Sequence, residues 1–271
     1  MSTKNHYRTV WLSDIHLGSK DCKAEYLLDF LEHNKIDTLF LVGDIVDLWA
    51  MSKQFRWPPL HNKLFHKLLS LSGSGTKVIY LPGNHDEPAQ KYDGMGFGDV
   101  EIHREYIYTT ATGKKLLLLH GDQFDDEVCF GRFHAWVGDK GYALLLFLNH
   151  WYNIFRSKRG RPYRSLAGHI KSRVKGASKA IARYREAAIH KAKASGVDGI
   201  VCGHIHHPEI TNVDGIIYYN DGDWVENCSA LTEDHEGDIA LTYWTTKTMN
   251  HLTSVKSAIP TAVQNKSKKA A

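Results

Sequence analysis

Five short clusters in this 271-residue chain combine carboxylate, amide and imidazole side chains. They are Asp14-Ile15-His16, Gly43-Asp44-Ile45-Val46-Asp47, Gly83-Asn84-His85-Asp86, His120-Gly121-Asp122 and Gly203-His204-Ile205-His206. Oxygen and imidazole donors without a thiolate suit Mn2+, Fe or Zn2+ better than a cysteine-type zinc site. Asp14, His16, Asp44, Asn84, His120, His204 and His206 are seven candidate donors. One ion with an open catalytic position cannot use them all, whereas two ions about 3.5–4 Å apart sharing a carboxylate can. Such a pair supports hydrolysis at phosphorus, because it neutralises phosphoryl oxygens and lowers the pKa of a bridging water towards about 7. A lone Asp or His after a strand is ordinarily a turn former. Five clusters in one chain argue for a site.

Each cluster follows a run that reads as a buried strand: Arg8–Leu12, Thr38–Val42, Lys77–Leu81, Leu116–Leu119 and Gly199–Cys202. Ala24–Asn34 and Leu60–Leu71 carry apolar residues at helical spacing, so strands and helices alternate as in an α/β sheet. Loops at the carboxyl ends of such strands converge on one crevice. Two hairpins are predicted, Glu105–Thr110 with Lys114–Leu119 and Glu209–Asn212 with Ile216–Asn220, and Asp238–Thr246 reads as a last strand. Asn220-Asp221-Gly222-Asp223-Trp224 reads as a turn near the crevice rim.

Residues 129–195 break this rhythm and read as a helical lid inserted into a core of residues 1–128 and 196–253. The segment holds fifteen Lys and Arg against two acids, which leaves 19 against 28 for the rest of a chain whose net charge is +4. A basic segment on a mildly acidic body predicts a polyanionic partner. Arg156, Arg159, Arg161 and Arg164 are candidate phosphate or headgroup contacts, and the Tyr142–Phe147 stripe is a candidate acyl-chain surface or ordinary core packing. Residues 254–271, with scattered Lys and no apolar period, read as a disordered tail.

Hydrophobic residues at 42% and charged residues at 24% exclude collagen-like, low-complexity and wholly disordered classes. The four cysteines lie far apart without a CxxC, which fits a reducing compartment. The start MSTKNHYRTVW has no apolar signal region, and the longest apolar stretch, Tyr142–Phe155, is too short to span a bilayer. The expected location is cytoplasmic, peripherally attached to an anionic inner-membrane surface.

Taken in order, DxH, GDxxD, GNHD, HGD and GHxH resemble the calcineurin-like metallophosphoesterase superfamily over Arg8–His120 and Gly199–Trp244. The resemblance implies an αββα sandwich of mixed sheets flanked by helices. It also implies that Asp14, His16 and His206 hold one metal, that Asn84, His120 and His204 hold the other, and that Asp44 bridges them. His85 would contact the scissile phosphate or leaving group, with Asp86 orienting it. Within the superfamily, WLSDIHLG, LVGDIVDLW, the lid between HGD and GHxH, and GHIHHPE are most similar to the UDP-2,3-diacylglucosamine pyrophosphatase (hydrolase) group of lipid A biosynthesis. The better-known branch of that group has GNRD where this chain has GNHD, with His85 in place of the arginine. The resemblance implies cleavage of a UDP-sugar lipid to UMP and a lipid-sugar 1-phosphate by metal-activated water, with two divalent ions, Mn2+ first and Fe or Zn2+ as alternatives.

Other readings stay open. The same centre would serve a nuclease, a nucleotide phosphodiesterase or a phosphoprotein phosphatase, and a non-catalytic scaffold of this fold would tend to lose ligands that are all present here. Asp47 is expected to orient a ligand rather than to react. His61, His66, His134 and His235 read as surface or core residues, and His207 as solvated or reaching a substrate phosphate.

Overall fold

Short runs that are apolar on both faces become strands buried on both faces. The computed structural model describes residues 5–125, 149, 152, 153, 156, 159 and 175–244. Among them are strands β1 (Asn5–Leu12), β2 (Asn34–Val42), β3 (Lys77–Leu81), β4 (Gly96–Phe97), β5 (Val100–Ile102) and β6 (Tyr106–Thr109). Further along come β7 (Lys115–Leu118), β8 (Gly199–Cys202), β9 (Glu209–Val213), β10 (Ile216–Asn220), β11 (Ser229–Glu233) and β12 (Ile239–Tyr243). The helices are α1 (Ala24–His33), α2 (Leu48–Lys53), α3 (Pro59–Ser72) and α4 (Lys175–Ala194). The strands form a seven-stranded sheet in the order β12-β11-β1-β2-β3-β5-β4 and a five-stranded sheet in the order β6-β7-β8-β10-β9. Both are mixed: β1, β2, β3 and β5 pair in parallel, as do β7, β8 and β10, and the outer partners are antiparallel.

Strand alternation assigns the two faces. Trp11, Phe40, Val42, Ile79 and Leu81 of the first sheet meet Leu116, Leu118, Val201 and Tyr219 of the second in one buried cluster. Their neighbours Val10, Leu12, Leu39, Leu41 and Val78 point the other way, onto Leu27, Phe30 and Leu31 of α1 and Leu64 and Leu68 of α3. On the far side Leu117, Ile200, Cys202 and Tyr218 pack against Tyr184, Ala188, Ile189 and Ala192 of α4. The result is helix, sheet, sheet, helix, in which truncating any one of these leucines to alanine costs about 2–5 kcal/mol.

Local chemistry sets the element ends. Asn34 leaves α1 in an extended conformation (φ −124°), and its side-chain amide donates to the Phe30 carbonyl at 2.7 Å, satisfying a terminal acceptor as β2 begins. Pro59 opens α3, where its missing N–H costs nothing. The two sheets are also joined by polar groups: the Tyr108 hydroxyl donates to Glu233 Oε2 at 2.5 Å and lies 2.6 Å from Thr9 Oγ1.

The predicted strands and hairpins recur with ends that agree within four residues, the largest difference being β2, which starts at Asn34 rather than Thr38. Two readings differ from the structure. Lys175–Ala194, read as the end of a helical insertion beside the sheet, is the helix that covers the second sheet; its small and aromatic stripe of Tyr184, Ala188 and Ala192 faces Ile200 and Cys202. Asn220–Trp224, read as a turn near the crevice rim, is built into the interior, with Asn220, Asp221, Asp223 and Trp224 fully buried. Residues 129–148 and 160–174, with Arg161, Arg164, His134 and the Tyr142–Phe147 stripe, lie outside the described residues, as does the 254–271 tail. Among the described residues no helix is long and apolar enough to cross a membrane.

Candidate metal centre

Parallel pairing of β1, β2 and β3, and of β7 and β8, brings five strand ends to one edge of the sandwich. The loops leaving those ends are tightly folded. Asp14, His16, Asp44, His204 and His206 all have positive φ, between 50° and 69°, and the other such non-glycine residues described are Asp214 and Cys228. Asp and His tolerate this left-handed region better than most residues, yet each still costs about 1–3 kcal/mol unless its surroundings enforce it. Here the loops enforce it on one another. Asp14 N–H donates to the Gly43 carbonyl (3.0 Å), His16 N–H to Asp44 (2.9 Å), Leu17 N–H to Ile45 (2.9 Å) and Asp47 N–H to Leu17 (2.8 Å). Gly43, at φ +82°, passes so close to His120 that a β-carbon would stand 2.1 Å from its Nδ1.

The ligand-type atoms gather in two adjacent groups. Asp14, His16 and His206 each offer an atom within 4.8 Å of the others, and so do Asp44, His120 and His204. Asp44 links the groups, with Oδ2 3.4 Å from His120 Nε2 and 3.8 Å from His16 Nε2. Asp14 Oδ1 is 3.1 Å from His206 Nε2 and 3.8 Å from His16 Nε2. Outer partners orient the rings. His120 Nδ1–H donates to the Val42 carbonyl (2.9 Å), His16 Nδ1–H to Asp47 Oδ2 (3.2 Å) and His204 Nε2–H to Asp125 Oδ1 (2.8 Å). Each of these rings is thereby left with its other nitrogen for the centre.

Three inward atoms, Asp14 Oδ1, His16 Nε2 and His120 Nε2, are buried without a well-formed hydrogen bond. Orphaned polar atoms of this kind are costly unless something charged occupies the space between them. The electrostatics agree. Burial works against charge on His16, but Asp14 and Asp47 beside it push its pKa up to about 10. Burial likewise opposes the Asp14 carboxylate, but His206, His16 and His120 together outweigh it and hold the group well below its usual range. The carboxylates thus demand positive charge, supplied either by protons on the imidazoles or by divalent cations that displace those protons. The donor set fits such cations.

The remaining candidate residues divide. Asn84 is exposed at the rim, although its chain neighbours reach the centre: His85 N–H donates to Asp44 Oδ1 at 2.9 Å, and a β-carbon on Gly83 would meet the same oxygen at 2.4 Å. His85 lies beside the centre with Nε2 4.0 Å from Asp44 Oδ2. The pairing of His85 with Asp86 is replaced by another. Asp47 Oδ1 accepts from His85 Nδ1 at 2.8 Å, while Asp86 turns inward to accept the backbone N–H groups of Gly83 (2.5 Å), Ile45 (2.8 Å) and Asp44 (3.2 Å). Burial, and then repulsion from Asp44, raises the Asp86 carboxyl. His207 is half-buried next to His206. Arg156 lies over the Tyr152 ring at 5.5 Å, and Arg159 is exposed with its N–H on the Arg156 carbonyl at 3.0 Å.

Several supporting residues give no motif signal. Ser13 Oγ touches Asp14 Oδ2 (2.6 Å) and Asp221 Oδ1 (2.7 Å), so one hydroxyl proton serves two carboxylates, and burial raises Asp221 well above the usual carboxyl range. Asn220 Nδ2 donates to the Gly203 carbonyl (2.8 Å), Asn227 Nδ2 donates to the His206 carbonyl (3.1 Å), and Trp224 N–H donates to the Asp14 carbonyl (3.1 Å). The one usable hint was the density of Asp and Asn in residues 220–227.

This centre, on a four-layer αββα sandwich, is shared by a known class. The chain belongs to the calcineurin-like phosphoesterase family, which it matches over residues 7–208. It is similar to UDP-2,3-diacylglucosamine hydrolase of Tolumonas auensis, 27% identical over 211 residues covering 75% of this chain and 82% of that one. It is also similar to the Haemophilus influenzae protein of the same name, 26% identical over 240 residues covering 85% and 96%. Among solved structures, a hypothetical protein from Pyrococcus horikoshii OT3 aligns over 94% of this chain and 95% of its own with a TM-score of 0.49 and 9% identity.

Proposed function

We propose that the chain is a dinuclear metal-dependent phosphohydrolase that cleaves the pyrophosphate of UDP-2,3-diacylglucosamine, or of a related UDP-sugar lipid, to UMP and a lipid-sugar 1-phosphate. The observation that carries the chemistry is the convergence of Asp14, His16, Asp44, His120, His204 and His206, with Asp14 Oδ1, His16 Nε2 and His120 Nε2 buried and without a well-formed hydrogen bond. The similarity to UDP-2,3-diacylglucosamine hydrolases over most of the chain supports the substrate. Asp14, His16 and His206 would hold one ion, Asn84, His120 and His204 the other, and Asp44 both, with Mn2+ the favoured metal. Bound there, the ions supply charge neutralisation of the phosphoryl oxygens and a water of lowered pKa.

The chain's own groups then position the substrate. Asp47 holds the His85 ring by Nδ1, and Trp49 and His16 pack edge-on against it with centroids 5.2 and 4.6 Å away. The ring therefore presents Nε2 towards the centre, where it would contact a non-bridging or leaving oxygen. Water supplies the new P–O bond as the bridging P–O bond breaks, so both products leave as phosphomonoesters. Arg156, Arg159, Arg161 and Arg164, on a lid that meets an anionic membrane surface, and His207 of the core are the proposed phosphate and headgroup contacts.

The test is product analysis. Mn2+-reconstituted protein is given UDP-2,3-diacylglucosamine in detergent beside bis(p-nitrophenyl) phosphate, plasmid DNA and a phosphomonoester. UMP released from the lipid, and lost in Asp44→Ala, is expected. Nicked DNA or free phosphate without UMP moves the assignment to another phosphoester, and unchanged hydrolysis by Asp44→Ala rejects the metal centre.

A further inference from the structure

At the opposite end of β1 and β2, three side chains form a second cluster. His6 Nε2 is 2.6 Å from Asp37 Oδ1, His235 Nε2 is 3.0 Å from Asp37 Oδ2, and the two imidazoles meet edge-on with centroids 4.5 Å apart. Six residues of extended strand separate His6 from Leu12, roughly 20 Å. The cluster therefore shares no side chain with the centre around Asp44.

The donors come from three separately fixed backbones. His6 and Asp37 sit on paired strands, and His235 lies in the turn joining β11 to β12. That turn is held by Asp234, whose Oδ1 accepts the N–H groups of Glu236 (3.0 Å) and Asp238 (2.9 Å) and whose carbonyl accepts Gly237 N–H (3.3 Å). Arg8, two residues along β1, directs its guanidinium to the Tyr108 hydroxyl at 3.2 Å. One donor atom from each of the three residues lies within 4.8 Å of the others. Ligands around a tetrahedral ion with bonds of about 2.0–2.1 Å lie roughly 3.3 Å apart, so shifts of no more than about 1.5 Å in these exposed side chains suffice. Two imidazoles and a carboxylate select late first-row cations over Mg2+ and Ca2+, which prefer all-oxygen sites.

We propose that His6, Asp37 and His235 form a separate single-ion site for a late first-row divalent cation of the Zn2+ or Cu2+ class, which pins the β11–β12 turn to the amino ends of β1 and β2. Water fills the remaining positions, so the site is structural or regulatory and takes no part in phosphoester hydrolysis.

Full-length protein saturated with Mn2+ is titrated calorimetrically with ZnCl2, alongside His6→Ala/His235→Ala and Asp37→Asn variants treated in the same way. Exchange of zinc into the Mn2+ centre is common to all three proteins, so the difference between them reports the second site. Wild type is expected to take up one equivalent more than either variant, with micromolar affinity. Substoichiometric Cu2+ is expected to broaden the imidazole proton resonances of His6 and His235. All three proteins should keep Mn2+-supported hydrolysis within about twofold, as distant sites are energetically independent. Equal zinc uptake by wild type and by Asp37→Asn, the near-isosteric variant that preserves the fold, overturns the proposal even if the double variant is unstable. So does copper broadening that spares both histidines.

Discussion

Gly83 lies where the backbone passes beside two side chains of the metal centre, so Gly83→Ala is a local wedge. A β-carbon there would stand 2.4 Å from Asp44 Oδ1, 2.5 Å from His120 Cδ2 and 2.7 Å from His120 Nε2. Non-bonded atoms are at ease only near 3.5–4.0 Å, so one of these side chains must move by about 1 Å. Neither moves freely: Asp44 Oδ1 accepts from His85 N–H at 2.9 Å, and His120 is tied through Nδ1 to the Val42 carbonyl. Overpacking of this kind costs about 1–3 kcal/mol. At about 2–4 °C per kcal/mol, melting should fall by roughly 2–12 °C. Function should suffer more, because a displacement of about 1 Å in a reacting constellation costs on the order of 100-fold in rate. Gly73→Ala is the control: its nearest atom would be 3.9 Å away and its φ is −68°, so stability should change by less than about 1 kcal/mol. Thermal melting, calorimetric Mn2+ titration and hydrolysis of bis(p-nitrophenyl) phosphate read the three effects. A folded Gly83→Ala protein with wild-type Mn2+ affinity and turnover would refute the placement of Asp44 and His120 in the centre.

Three further outcomes follow from particular contacts. Asp47→Asn disturbs the partner of both His16 and His85, and Mn2+ affinity or turnover should drop about 10–100-fold, read by titration and initial rates. Tyr108→Phe leaves Thr9 and the buried Glu233 short of a partner and should cost about 1–3 kcal/mol in urea unfolding with Mn2+ affinity unchanged; a change in affinity would contradict the separation of the two regions. His61 accepts the Gly18 N–H at 3.0 Å, and burial together with Arg56 lowers its pKa. Its folded pKa thus lies below its unfolded value, so the unfolded chain binds more protons. Stability should therefore be lost as pH falls from about 6.5 through the folded pKa. Denaturant unfolding from pH 7.5 to 5 should show a shallower acid loss in His61→Asn than in wild type.

The candidate donors that the structure brings together are legible in the linear chain because their placement is local: a donor one or two residues past a strand end, with glycine where the backbone must turn or pass closely. Asp14, His16, Asp44, His120, His204 and His206 carry that signature, as do the strands before them. Their supporting groups do not. Asp125 reaches His204, and Asp221 and Asn220 reach Ser13 and Gly203, through contacts that span 17 to 208 residues of chain, and no spacing rule links such pairs. The exchange of Asp86 for Asp47 as the partner of His85 has the same origin: neighbours in sequence diverge at a loop, and which carboxylate faces a ring depends on how β2 and β3 are laid side by side. The helical spacing of Ile181 and Tyr184 in α4 is legible in the sequence, but not the sheet that this face covers. Charge marks what meets water, whereas the small and aromatic stripe that seats Tyr184 on the second sheet acquires its meaning only from the strands beneath it.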